Sequence, residues 1–254
     1  MELNYKKLGS GKPLIILHGL FGSLDNWMTL GKRWSEDYEV WLVDQRNHGH
    51  SPHDDAFDYP IMAEDLESFI AMHSIKKPII LGHSMGGKTA MEFAVNFPEM
   101  VSKLIVADIA PVEYEVHHYG IVAALKSVDL NSIRSRKEAD EMLSNRIKTL
   151  GIRQFLLKNL YLKEKNRYAW RFNLPVLERQ LEPISHWPVS EGLYEGKSLF
   201  IKGANSDYIL PQHGAEIVRK FPNYELEEIE NAGHWLHAEA PDEFFQKVNN
   251  FIKQ

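Results

Sequence analysis

The chain has 254 residues, 44% of them hydrophobic and 25% charged, with a net charge of −6 and no cysteine. That length fits one large domain or a core with a modest insertion, and it buries enough surface to need no covalent staples. The missing cysteines exclude a thiol nucleophile, a disulfide framework and a cysteine-ligated zinc, and an acidic balance without a basic stripe argues against nucleic acid.

The opening residues Met1 to Lys7 have no apolar signal core. No apolar run approaches the roughly 18 residues of a membrane span, so a cytoplasmic chain without a membrane span is expected. Leu3 to Leu8 alternates like an edge strand, and Gly9-Ser10-Gly11-Lys12-Pro13 marks a turn. Leu14 to Leu17 is a continuous apolar run, the pattern of a strand buried on both faces. It ends in the glycine-rich loop His18 to Ser23, after which Asp25 is placed to cap a helix through Trp27, Leu30 and Trp34.

A second strand is expected at Glu39 to Val43, followed by Asp44 to Ser51 and a helix from Ile61 to His73. Pro78 to Leu81 leads into Gly82-His83-Ser84-Met85-Gly86-Gly87 and a helix-like stretch from Lys88. Met100 to Ala107 is another strand, ending at Asp108-Ile109-Ala110-Pro111. Residues 112–190 then lack a convincing buried strand and read as helical segments: 119–128, 136–150, 152–160 and 175–181. The alternation resumes with a strand from Ser198, a helix from Pro211 to Phe221, a strand from Glu225 to Ile229 and a final helix from Pro241.

Strands alternating with helices imply an α/β fold, with a mostly parallel sheet covered by helices on both faces. Residues 1–111 and 191–254 would form the core, and 112–190 a helical cap insertion. Ligands in such sheets bind at the carboxyl ends of the strands, where every unusual loop of this chain falls.

A strand, a Gly-x-Ser-x-Gly turn and a helix in that order form a nucleophile elbow, which presents Ser84 above the sheet edge. A serine hydroxyl needs a base within hydrogen-bond reach, and the base needs an orienting acid. His234, in the loop between the last strand and the last helix, is the candidate base, preferred to His237. Asp108 and Asp207 both follow strands that end at the same edge, and spacing alone does not choose between them. The oxyanion would be held by the Met85 N–H and by an N–H of the His18 loop, from Leu20 or Phe21.

The chain resembles the α/β-hydrolase superfamily along its length, and within it the YbfF-type serine esterases. The likeness rests on His18 to Trp27, Asp44 to Pro52, Gly82 to Lys88, Ala107 to Pro111, Trp170 to Leu174 and Gly233 to Trp235. It implies an α/β-hydrolase fold and hydrolysis of short- to medium-chain acyl esters and acyl-CoA thioesters through an acyl-enzyme. No cofactor is implied. It also favours Asp108 as the triad acid, with Asp207 kept as the alternative.

His18, His83, Trp235, Trp170 and Arg171 complete the candidate substrate contacts, the last two either as partners for an anion or as a structural pairing that pins the insertion to the core. His48, His50 and His53 have metal-like spacing, but a polar loop braced by Arg46 and Asp44 is the favoured reading, so no metal is expected. His117 and His118 begin the insertion, where surface exposure is favoured over lining the pocket, and Lys88 is read as solvated or ion-paired. The expected partner is a small-molecule ester or acyl thioester, and the chain a monomer or homodimer. A ligand receptor that captures without turnover, or a C–C bond hydrolase or perhydrolase on the same triad, would share these residues.

Overall fold

The computed structural model describes residues 1–164, 167–188 and 191–254. In chain order the first elements are β1 (Tyr5–Leu8), β2 (Lys12–Leu17), α1 (Met28–Trp34), β3 (Tyr38–Val43), α2 (Tyr59–Met72), β4 (Ile79–His83), α3 (Met85–Asn96) and β5 (Lys103–Ala107). The inserted segment carries α4 (Tyr119–Lys126), α5 (Arg136–Ser144), α6 (Leu150–Leu157), β6 (Leu160–Glu164), β7 (Arg167–Trp170), α7 (Leu174–Arg179) and α8 (Leu181–Ser185). The chain then returns through β8 (Ser198–Gly203), α9 (Gly214–Lys220), β9 (Tyr224–Ile229), α10 (Leu236–Glu239) and α11 (Pro241–Lys253).

The main sheet runs β1-β3-β2-β4-β5-β8-β9. Only β1 is antiparallel, paired on the edge with β3. Strand periodicity sorts the side chains of β2 to two faces. Ile15 and Leu17 join Phe69 of α2, Met91 of α3 and Ile217 of α9. Leu14 and Ile16 join Trp34 of α1 and Phe244 and Phe251 of α11. Each such buried side chain contributes roughly 1.5–3 kcal/mol. β2 is parallel to both β3 and β4, so the strand order reverses there, and the loops leaving β2 and β4 flank the crevice at the switch point.

A third cluster lies over that edge. It unites Val122, Leu125, Leu156, Trp170 and Phe172 of the inserted segment with Leu20, Phe21 and Met85 below. The segment, read from sequence as helical with no convincing buried strand, also carries the hairpin β6–β7. Its strands mix buried ends with exposed and charged residues, so they lack the apolar run that marks a sheet strand. The expected end of the insertion at 190 lies outside the described residues. At the first helix the chain turns at Ser23, whose N–H donates to Asn26 Oδ1 at 2.8 Å, while Asp25 is exposed and its side chain caps no N–H among the described residues. Among the described residues no helix is long and apolar enough to cross a membrane.

Candidate active site

β4 ends in the turn that carries Ser84 at φ 52°, in the left-handed region that a non-glycine residue enters only under strain. Gly82 is required for space, since a Cβ there would meet the Gly86 carbonyl oxygen at 2.1 Å. The Ser84 N–H is tied to Ala107 C=O at 3.0 Å. The hydroxyl lies at the N-terminus of α3 and donates to His234 Nε2 at 3.0 Å.

His234 Nδ1–H donates to Asp108 Oδ2 at 2.8 Å. Asp108 is fully buried at the end of β5 and also has positive φ, 53°. Its Oδ1 accepts the Gly203 N–H at 3.0 Å, and its Oδ2 also accepts the Ser206 hydroxyl. Burial pushes the Asp108 carboxyl up, and the hydrogen bonds from Ser206 and Gly203 oppose it. The His234 Nδ1–H is a third donor to this carboxyl, and burial drives the imidazole well below its ordinary value. Asp207 is exposed and makes no hydrogen bond to His234 among the described residues. His237 is buried behind His83 and stacked on Trp27 at 4.3 Å between ring centroids, with no hydrogen bond to Ser84 among the described residues.

Of the two sequence candidates in the His18 loop, Phe21 has its N–H engaged by His48 Nε2 at 3.2 Å. His48 Nδ1–H donates to Arg46 C=O at 2.9 Å, so this ring is committed at both nitrogens. That leaves Leu20 as the candidate from this loop; it lines a cavity together with Ser84 and with Met85, which opens α3. His18 is likewise a brace: it is buried, its Nε2 accepts the Gln45 N–H at 3.0 Å and its carbonyl accepts Gln45 Nε2. His83 Nε2–H donates to the His234 carbonyl at 2.8 Å, holding the loop that carries the imidazole.

Two cavities meet at Ser84. One is lined by Tyr59, Lys88, Tyr114, Ile184 and Tyr208, and is partly polar. The other is lined by Phe21, Ile121, Ile152, Phe155, Leu156 and Trp235, and is largely apolar. His118 lines both, the less favoured of its two sequence readings, while His117 is exposed. Lys88 is not solvated: it is 1% exposed and donates to Ser185 C=O and His186 C=O at 2.7 and 3.0 Å. Burial pushes its pKa down to about 7.

The placement of Trp170 and Arg171 corrects the expectation that they contact substrate. Trp170 is buried in the inserted segment, stacked on Phe172 at 5.5 Å. Arg171 lies over the Tyr161 ring and borders a surface cavity with Asn4, Asp44 and His50, away from Ser84. The anion reading drew on charge and an adjacent aromatic, a pattern that packing also produces. His50 and His53 both turn toward Arg171, through the side chain and the carbonyl respectively. Among the described residues no group of three or more histidine, aspartate and glutamate side chains is placed to hold a metal ion.

The sequence reading missed Tyr208, whose ring stacks on His234, and Ser206 beneath it. Both stand next to Asp207 in a strand-end loop, which is the signal that could have drawn them in. It also missed Asn159, whose side chain reaches Phe21.

A model of the alpha/beta hydrolase fold matches residues 12–241, and the chain belongs to that family and is a hydrolase. It is 40% identical over 263 residues to the sn-1-specific diacylglycerol lipase ABHD11 of Mus musculus, covering 99% of this chain and 85% of that one. It is 37% identical over 244 residues to esterase YbfF of Escherichia coli (strain K12), covering 96% and 94%. Among solved structures, a marine microorganism esterase superposes with a TM-score of 0.96 at 44% identity, covering 98% and 99%. With relatives named esterases and lipases at this similarity, the protein is an ester hydrolase.

Proposed function

We propose that the protein is a serine carboxylic-ester hydrolase working through an acyl-enzyme, with residues 112–190 as a cap over its catalytic edge. The observation that carries this reading is the line from Ser84 Oγ through His234 to Asp108, at 3.0 and 2.8 Å. Ser84 attacks the ester carbonyl while His234 Nε2 takes its proton. The oxyanion forms between the N–H groups of Met85 and Leu20. His234 then returns the proton to the leaving alcohol, and a water molecule repeats the sequence on the acyl-enzyme. Asp108 fixes the tautomer with Nε2 free to accept, and offsets the charge that His234 acquires.

The apolar cavity beside Phe155 and Leu156 suits a short to medium acyl chain, and acyl-CoA thioesters would use the same chemistry. The vertebrate relative named as a diacylglycerol lipase adds acylglycerols to the substrate panel. The test is a chain-length series of nitrophenyl esters, acyl-CoAs and diacylglycerol with wild type and Ser84→Ala. Loss of the nucleophile should lower kcat on the order of 10⁴–10⁶-fold with the fold intact. Substantial residual turnover by Ser84→Ala overturns the mechanism. A stoichiometric burst of nitrophenol without steady turnover by wild type would indicate a receptor instead.

A further inference from the structure

The Tyr208 ring lies flat against the imidazole of His234, with centroids 3.9 Å apart and planes inclined by 20°. Its backbone is held at both ends. The N–H donates to Ser206 Oγ at 3.3 Å, and the Ser206 hydroxyl in turn donates to Asp108. The carbonyl accepts the Tyr114 hydroxyl at 2.6 Å, and Tyr114 Oη accepts the Ala110 N–H at 2.8 Å. Both threads return to the turn Asp108–Ala110 after β5. One network therefore sets the carboxylate at the edge of the imidazole and an aromatic face against its plane.

Proton transfer from Ser84 makes His234 a cation in a largely buried site, its side chain 14% exposed. The groups that face it are few. Asp108 from the β5 turn is the anion bonded to it, with Lys202 acting on that carboxyl from β8. His83 from the elbow, His118 at the start of α4 and His237 of α10 are imidazoles that burial keeps neutral. Asp207 is exposed across the outer cavity, and Trp235 meets the ring edge-on at 5.6 Å. Among the described residues Tyr208 alone presents a stacked face. A cation against such a face is attracted by the ring quadrupole.

We infer that Tyr208 is a positioning residue for the base: it holds the imidazole plane in line with Ser84 and Asp108, and favours the imidazolium formed in the transition state. This rests on His234 acting as the base. Removal of a partly desolvated cation–π contact corresponds to a rate loss of roughly two- to thirty-fold.

The experiment compares wild type with Tyr208→Leu, Tyr208→Phe and Tyr208→Trp on nitrophenyl butyrate across pH. Tyr208→Leu should lower kcat by about that factor with KM within about two-fold, and move the acid limb of kcat/KM to lower pH, because the cation loses its partner. Tyr208→Phe keeps the face and should restore both quantities. Should Tyr208→Leu not fold, Tyr208→Trp carries the test: a more electron-rich face moves the limb upward, and a downward or absent shift overturns the inference. A change in KM alone makes Tyr208 a cavity wall and overturns it too. Full turnover by His234→Ala would instead overturn the base reading. Inactive His234→Ala beside unchanged Tyr208→Leu overturns only the role of Tyr208.

Discussion

Ser84 and Asp108 both sit at positive φ, and each ends a strand by turning sharply out of the sheet. Such strain persists only where the surroundings over-determine it. At Asp108 those surroundings are the Gly203 N–H, Ser206 and His234. From sequence, Ser84 and His234 stand out because glycines and strand ends frame them. Asp108 and Asp207 do not separate, because each follows an apolar run that ends at the same edge. What distinguishes them is a hydroxyl and an amide about a hundred residues away in sequence from Asp108, which no local pattern reveals. Asp108→Asn should therefore cost roughly 10³–10⁴-fold in kcat, since an amide cannot orient the tautomer. Asp207→Asn should stay within about two-fold, and the reverse order would assign the acid to Asp207. The pH profile follows from burial of His234. Its pKa is lowered, so the neutral, active form persists as pH falls and is lost only when pH drops through that lowered value. The acid limb of kcat/KM should accordingly fall below the ordinary histidine value of about 6.5; a midpoint at or above it would contradict the neutral resting state.

Among the elements, the central strands were legible because burial on both faces leaves runs such as Leu14 to Leu17 and Ile79 to Leu81 with no polar residue. The hairpin β6–β7 was not, since its exposed strand residues obey no such constraint. Lys88 misled for the opposite reason. A lysine suggests solvent, yet its partners are carbonyls 97 and 98 residues away at the end of α8. Glycines show the same dependence on context. Gly82→Ala would drive a Cβ to 2.1 Å from backbone oxygen, so the elbow cannot close, and loss of activity with destabilisation above about 3 kcal/mol is expected. Gly151, in the first turn of α6, has nothing within 4 Å of a Cβ. Gly151→Ala should gain about 0.5–1 kcal/mol by restricting the unfolded chain, with kcat unchanged. Thermal unfolding and an ester assay on the two variants check both signs, and a tolerated Gly82→Ala would refute the steric account.

Across the whole molecule, the inserted segment does more than cover the sheet edge. Fully buried Asn159, between α6 and β6, donates through Nδ2 to the Phe21 carbonyl at 2.7 Å, and its own carbonyl accepts the Arg171 N–H at 2.9 Å. Phe172 packs edge-on against the Phe21 ring at 5.4 Å. The loop carrying the Leu20 N–H is thus held from below by His48 and from above by the inserted segment. Asn159→Leu leaves the Phe21 carbonyl buried without its donor, a loss of about 1–3 kcal/mol. In a chain of this length that lowers Tm by roughly 2–12 °C. A merely structural asparagine would stop there. Because Leu20 and Phe21 are consecutive, release of one carbonyl lets the neighbouring amide drift, and oxyanion donors act only when held within a few tenths of an ångström. Asn159→Leu should therefore lower kcat by about ten-fold or more at temperatures where the variant remains folded, with KM little changed. Measuring kcat and KM well below the variant's Tm separates the two effects. A fall in Tm with kcat unchanged would confine Asn159 to stability and leave the loop geometry to His48 alone.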